Sequence, residues 1–325
     1  MLTRQDEQEL ADFRTLLAEA HQQVQKQVRR LNGIVTRGNS PDPLIAFVHI
    51  PKTAGGTVSS MFVAAYSKRG MHKAGNYLKG PDLAERKIAK AGGGWENWHR
   101  NGGRVTVGHM PYGLYRTYLP GNTSYMTFLR EPVDRVLSHY YRHIHRQDSG
   151  RAGIQKKKRP GARVKADSIE QALVDMNLPQ LNNLCTRFLC GRDPFEELPD
   201  SAVDDAKENL SAFEIVGIQE RFEESLVLLQ RMFGLGALPY VDRHVSNDGA
   251  RPGVDEISDE QRALIEEHNR LDAELYRFGL GLFEEAVAEA GDGFAAEVEE
   301  LRARDRAARE QEWRRTKVAK DPLAQ

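Results

Sequence analysis

One stretch constrains this chain more than any other: "LIAFVHI" (44–50) runs without a break into "PKTAGG" (51–56) and then "TVSSMFVAAYSKR" (57–69). The first segment is continuously apolar and rich in β-branched residues, which suits a strand buried on both faces. The last has helical spacing, with a cap at Thr57 or a start just after it. A doubly buried strand needs helices on both sides, so the expected class is α/β with a parallel central sheet flanked by helices. Later segments repeat the alternation. "RVTVGHM" (104–110) and "TSYMTFLR" (123–130) read as strands. "EPVDRVLSHYYRHIHR" (131–146) reads as a helix with Pro132 at a tolerated first-turn position. "AGGGWENWHRNGG" (91–103) reads as a Gly-rich connection. Helices follow near 168–175, 179–190 and 201–211, then the strand "FEIVGI" (213–218), then helices over 221–233, 258–271 and 272–290.

The ends differ from this middle. Leu10, Phe13, Leu17, Val24, Val28 and Leu31 give residues 4–31 the pattern of an amphipathic helix, broken by "NGIVTRGNSPDP". The tail is a charged helix with too few apolar residues to bury alone, suited to solvent or to self-association, with Trp313 as an anchor. The chain therefore divides at 1–38, 39–291 and 292–325. Within the middle unit, 150–167 is a loop carrying seven basic residues from Arg151 to Lys165 and no acid between them. No basic leader with an apolar core opens the chain, and no apolar run approaches membrane-spanning length. With Cys185 and Cys190 as the only cysteines, both expected reduced, the reading is cytoplasmic. A formal net charge of −1 gives no global attraction to nucleic acid, so anion binding must come from local clusters.

The loop 51–56 is such a cluster. At the end of a strand and the start of a helix, unpaired N–H groups and the helix dipole favour an anion. Gly55 and Gly56 permit close approach, Lys52 adds charge, and Thr53, Thr57 and Ser59 add hydroxyls. It is not a Walker loop. Lys52 precedes the glycines, and no Gly-Lys-Ser/Thr supplies a magnesium hydroxyl. The anion is expected to be held without a metal.

"HIPKTAGGT" resembles the 5′-phosphosulfate loop of sulfotransferases that use 3′-phosphoadenosine 5′-phosphosulfate (PAPS). "FLREPVDRVLSHYYR" resembles their 3′-phosphate segment, with Arg130 and Ser138 at its spacing. Within that family the chain looks most like the uronyl 2-O-sulfotransferases of heparan and chondroitin sulfate, over roughly 44–290. "GHMPYGLYR" matches that group's Gly-His segment, and "AKENLSAFEIVGIQERFEESLVLLQRMF" and "DEQRALIEEHNRLDAELYRFGLGLF" match its later helices and strand. The ends depart from it, as in a soluble bacterial-type relative.

The resemblance implies a P-loop-like fold and in-line transfer of a sulfuryl group from PAPS to an acceptor hydroxyl on a carbohydrate, with PAP as product and no metal. Pro51, Lys52, Thr53, Ala54, Gly55, Gly56 and Thr57 would cradle the 5′-phosphosulfate, and Arg130 and Ser138 the 3′-phosphate. Arg243 and Ser246, in "YVDRHVSNDGARPG" (240–253), would return over the nucleotide. His109 would be the base and Lys52 would stabilise the leaving group. Asn183 and Arg187, in "NNLCTRFLCG", are candidates to face the acceptor. On the residues alone His109 could equally cap its strand through a backbone hydrogen bond. His49 reads as a core histidine. His139 and His143, at i and i+4, lack a third metal ligand and read as a partly exposed helix face. Two other classes stay open: a non-catalytic nucleotide-binding scaffold and a magnesium-dependent phosphotransferase.

Overall fold

The structure, a computed structural model, describes residues 44–68, 70–89, 94–144, 165–235 and 251–320, with side chains described as far as Glu310. Five strands form one sheet: β1 (Ile45–Val48), β2 (Met71–Asn76), β3 (Val105–His109), β4 (Ser124–Leu129) and β5 (Ile215–Ile218). Their order is β2-β3-β1-β4-β5, and every pair is parallel. All four residues of β1 are buried, as a central strand covered on both faces requires. β3 and β4 flank it in register, with Ile45 opposite Val105 on one side and Ser124 on the other. The carboxyl ends of β1, β3 and β4 therefore open side by side on one edge, where ligands gather in sheets of this kind.

The helices follow from the core they bury. α1 (Gly55–Tyr66) sets Phe62 against Phe47 of β1, which also meets Phe128 of β4. α2 (Pro81–Ala89) covers β2 through Ala84 and Ile88. α3 (Trp95–Arg100) lies inside the segment expected to be a plain connection. Trp95 donates to the Ile88 carbonyl at 2.9 Å, and the rings of Trp95 and Trp98 both meet His72 edge-on, tying α3 to α2 and β2. α4 (Tyr112–Tyr118) follows β3. α5 (Pro132–His139) follows β4 and passes into a π-helical turn, Tyr140–Ile144, where the periodicity predicted an unbroken α-helix. Its apolar face joins Ile169, Leu173, Leu181 and Ile265 in a second core cluster.

The region expected to hold helices at 168–175 and 179–190 contains a π-turn at Gln171–Asp175 and α6 (Leu184–Leu189). Then come α7 (Ala202–Ser211), α8 (Phe222–Phe233), α9 (Asp259–His268), α10 (Arg270–Glu289) and α11 (Phe294–Lys320). The charged tail helix α11 is not wholly solvated. Phe294, Val298 and Leu301, spaced four and three apart, are buried, and Glu297 pairs with Arg231 of α8 at 2.7 Å.

β2 and α2 have no counterpart in the sequence reading. "MHKAGN" is half-exposed and lacks alternation, because β2 is an edge strand carrying a bulge: Lys73 faces Val107, Gly75 faces Gly108, and Ala74 is the extra residue. Both cysteines are free and buried. Among the described residues no helix is long and apolar enough to cross a membrane. The helix expected at 4–31, most of the basic loop 150–167, and the Trp313 side chain lie outside what is described.

Candidate active site

The loop after β1 is built from its own side chains. Thr53 is fully buried and its Oγ1 donates to the Ile50 carbonyl at 2.9 Å, closing the turn. Lys52 and Ala54 both take left-handed backbone conformations, φ 76° and 62°, which are uncommon outside glycine and cluster where a loop is held for function. α1 begins at Gly55, not at Thr57, and Ala54 in the cap position provides no side-chain cap. The first amides of α1, from Gly55 and Gly56, thus lack intrahelical acceptors. The amides of Thr57 and Val58 already reach the Ala54 carbonyl. The hydroxyls expected to face the ligand are partly committed elsewhere: Thr53 to Ile50, and Ser59 to the Gly55 carbonyl at 2.6 Å.

Gly55 has a second reason to be glycine. A Cβ there would stand 1.9 Å from Cδ2 of His49, so the imidazole lies directly on the glycine backbone. His49 is therefore not a core histidine. It sits half-buried just past β1, stacked on Phe47 at 5.3 Å and 4.2 Å from the His109 ring.

His109 ends β3 beside it. Its Nδ1 lies 2.8 Å from the His49 carbonyl oxygen, which can only accept. Nδ1 therefore carries the proton and Nε2 keeps a lone pair. Burial lowers the His109 pKa below the ordinary imidazole value, opposed by this backbone bond and assisted by the charge of Lys79. The two readings left open for His109 are compatible: it makes the backbone bond, and that bond fixes the tautomer a base needs.

Positive charge concentrates next to it. Arg130, just past β4, donates through Nε and Nη2 to Asp134 at 2.7 and 2.5 Å, and through Nη1 to the Lys52 carbonyl at 3.1 Å. Arg251 pairs with the same carboxylate. Two guanidinium groups share one acid, leaving net positive charge beside the loop. Burial pushes the Lys52 pKa down to about 8, helped by Arg130, Arg142 and Arg251. Burial likewise brings Arg130 down to about 10. The π-turn after α5 holds Arg142 within this field. On the face expected to be partly exposed, His139 is buried and His143 exposed; burial and the charges of Arg135, His143, Lys52 and His109 depress the His139 pKa. Ser138 is also buried, next to it. His139 and His143 approach to 5.1 Å between ring centres, but no group of three potential metal ligands occurs among the described residues.

Other expected residues are used differently. α5 is capped by Glu131, whose carboxylate accepts from Val133 and Asp134 amides at 3.0 and 2.7 Å, so that helix end is already neutralised. Asn183 faces the fold interior. Its Oδ1 accepts from the Leu271 and Asp272 amides at 3.0 and 3.1 Å, capping α10. Asp272 returns the favour to α6, accepting from the Cys185 and Thr186 amides and the Thr186 hydroxyl. Arg187 is spent on the carbonyls of Asn182, Pro194 and Glu196. Both side chains hold structure in place of facing an acceptor. Arg243 and Ser246 lie outside the described residues. The sequence reading missed His49, Asp134, Arg142 and Arg251. The i,i+4 spacing of Arg130 and Asp134 could have marked the acid, whereas the pairing of Arg251 with it joins distant segments.

A neutral base with an open lone pair, a half-desolvated lysine and an excess of guanidinium charge thus meet at one sheet edge. Such a set can hold a polyanion and take a proton from a nucleophile. A search of curated proteins finds no match. The sulfotransferase family model matches residues 39–279, most of the chain and every element from β1 through the first half of α10. By that match, and with the sheet it presupposes in place, the chain belongs to the sulfotransferase family.

Proposed function

We propose that this protein transfers the sulfuryl group of PAPS to a carbohydrate hydroxyl. The observation that carries the reading is the pairing of Lys52 and His109 on neighbouring strand ends, with His109 Nε2 left to accept a proton. The residues fit a nucleotide with two anionic ends. Lys52 and the amides of Gly55 and Gly56 hold the 5′-phosphosulfate. Arg130, Ser138 and Arg251 hold the 3′-phosphate, and Arg243 and Ser246 complete the grip. The acceptor oxygen attacks sulfur in line, forming a new S–O bond. The bond from sulfur to the 5′-phosphate oxygen breaks, and its electron pair stays on the phosphate. The hydroxyl proton passes to His109 Nε2, and the charge of Lys52 meets the negative charge growing on the leaving oxygen. A lowered lysine pKa suits that position, since desolvation strengthens its field on the leaving group.

The test uses PAP and labelled PAPS without magnesium. PAP is expected to raise the melting temperature, and labelled sulfate to move to the host's own glycans. Lys52→Ala and His109→Ala should each abolish transfer, and His109→Ala should still be stabilised by PAP. No stabilisation at saturating PAP would sink the proposal. Stabilisation with no transfer to any glycan would return the protein to a binding role.

A further inference from the structure

β2 ends beside the base with a residue nothing above has used. Asn76 pairs with His109 across the β2–β3 ladder. It arrives there because of the bulge: the extra residue at Ala74 breaks the two-residue alternation, so Asn76 comes level with His109 where it would otherwise lie one step beyond. Gly75, at φ 117°, makes this possible, and Gly108 opposite it has no room for a side chain, since a Cβ would stand 2.9 Å from the Gly75 carbonyl oxygen. Bulges of this kind re-aim side chains next to active sites.

The re-aimed side chain is unmatched. Asn76 Oδ1 is fully enclosed and has no hydrogen-bond partner among the described residues. Turning the amide over would place an unmatched donor there instead. It precedes the turn Tyr77–Lys79 without capping it. Enclosed polar atoms without partners are rare and call for one. Tyr77, the next residue, donates to Asp193 at 3.0 Å and its ring stacks on Phe195 at 5.9 Å. Phe195 is 45% exposed, so an open aromatic surface stands against Tyr77, the residue after Asn76.

Resting on the sulfotransferase reading above, we propose that Asn76 is an acceptor-positioning residue that binds a second hydroxyl adjacent to the one sulfated. His109 Nε2 takes the proton of the attacking hydroxyl, so the carboxamide is not needed for that group. A carboxamide oxygen accepts, and a neighbouring hydroxyl can donate to the unmatched Asn76 Oδ1. Adjacent strands lie about 4.8 Å apart, a spacing that a ring with two adjacent hydroxyls spans with one bond to each side chain. The substrate class is therefore a vicinal diol on a ring, its apolar face toward Tyr77 and Phe195.

The probes are trans-1,2-cyclohexanediol and cyclohexanol, each assayed as acceptor with labelled PAPS. The wild type is expected to favour the diol by about tenfold or more in kcat/KM, the value of one hydrogen bond to a half-buried site. Asn76→Ala should use the two alcohols alike while PAP still raises its melting temperature. If Asn76→Ala does not fold, Asn76→Leu, which keeps the shape and loses both the acceptor and the donor, should show the same loss of preference. An unchanged ratio in the variant overturns the proposal. So does a wild type without preference for the diol, including one that uses neither alcohol. In both cases PAP stabilisation of the wild type leaves the nucleotide reading standing, whereas its absence removes the two together.

Discussion

Arg130 Nη1 donates to the backbone carbonyl of Lys52 at 3.1 Å, so the tip of β4 holds the left-handed turn after β1 in place. The same guanidinium grips Asp134. One side chain thus joins the loop after β1 to the first turn of α5. Arg130→Lys keeps the charge and loses the fork. Losing charge-assisted bonds of about 1.5–3 kcal/mol predicts a PAP dissociation constant raised roughly 10- to 100-fold, measured by calorimetry. A lysine variant with native affinity would show that charge alone suffices.

The pH profile has a defined shape. The His109 pKa lies below the ordinary imidazole value, so the base stays neutral and competent as pH falls to that value, and the acid limb appears only below it. Lys52 titrates at about 8 in the free enzyme and is charged below that. kcat/KM should therefore decline as pH rises through about 8. Lys52→Arg, charged throughout, should flatten that alkaline limb. Binding of the polyanionic donor favours the charged lysine, so the limb in kcat should lie at higher pH than that in kcat/KM.

Gly55→Ala places a methyl group inside the His49 ring. Overpacking of this kind costs about 1–3 kcal/mol. Displacing His49 also moves the carbonyl that fixes His109. Transfer should fall more than stability, which parallel assays of kcat and urea midpoint would separate.

Asn183→Ala should lower stability by about 0.5–2 kcal/mol, the usual worth of a helix cap, with PAP stabilisation of the variant intact. A loss of acceptor turnover at unchanged stability would restore Asn183 to the acceptor site.

Asp272→Ala is the severe case. Arg135 and Asp272 are buried with both side chains at 0% exposure, 3.9 Å apart, and Arg135 also donates to the Gln180 carbonyl and the Asn269 side chain. Removing the carboxylate strands a buried cation and uncaps α6, at about 3–5 kcal/mol. Chemical denaturation measures this. Asp272→Asn, which preserves the capping acceptor, should recover part of it.

These last residues show where sequence reading stops. That the loop after β1, His109 and Arg130 lie together was legible because each stands at the end of an apolar run, and strand ends in a parallel sheet share an edge. The role of Asn183 was not legible because its partners lie far along the chain, the amides at 271 and 272, and that of Arg187 because carbonyl partners five to nine residues away carry no side-chain signal. β2 was invisible because an edge strand with a bulge has neither an apolar run nor alternation. The end of α5 was read as regular because one π-turn leaves the apolar spacing nearly unchanged. His49 was taken for core because the apolar run continues to Ile50 while the strand itself ends at Val48.

The order of strands has a consequence for how long the protein lasts. Residues 49, 109 and 130 come together only when β1 has zipped to both β3 and β4. A chain lacking either pairing has no site, so a ligand bound there binds the native state alone. Its concentration then enters the folding equilibrium by mass action: at a hundredfold excess over the dissociation constant it adds about 2.7 kcal/mol to the native side. Supply of a ligand for this edge would set the protein's resistance to proteolysis and heat as well as the occupancy of the site.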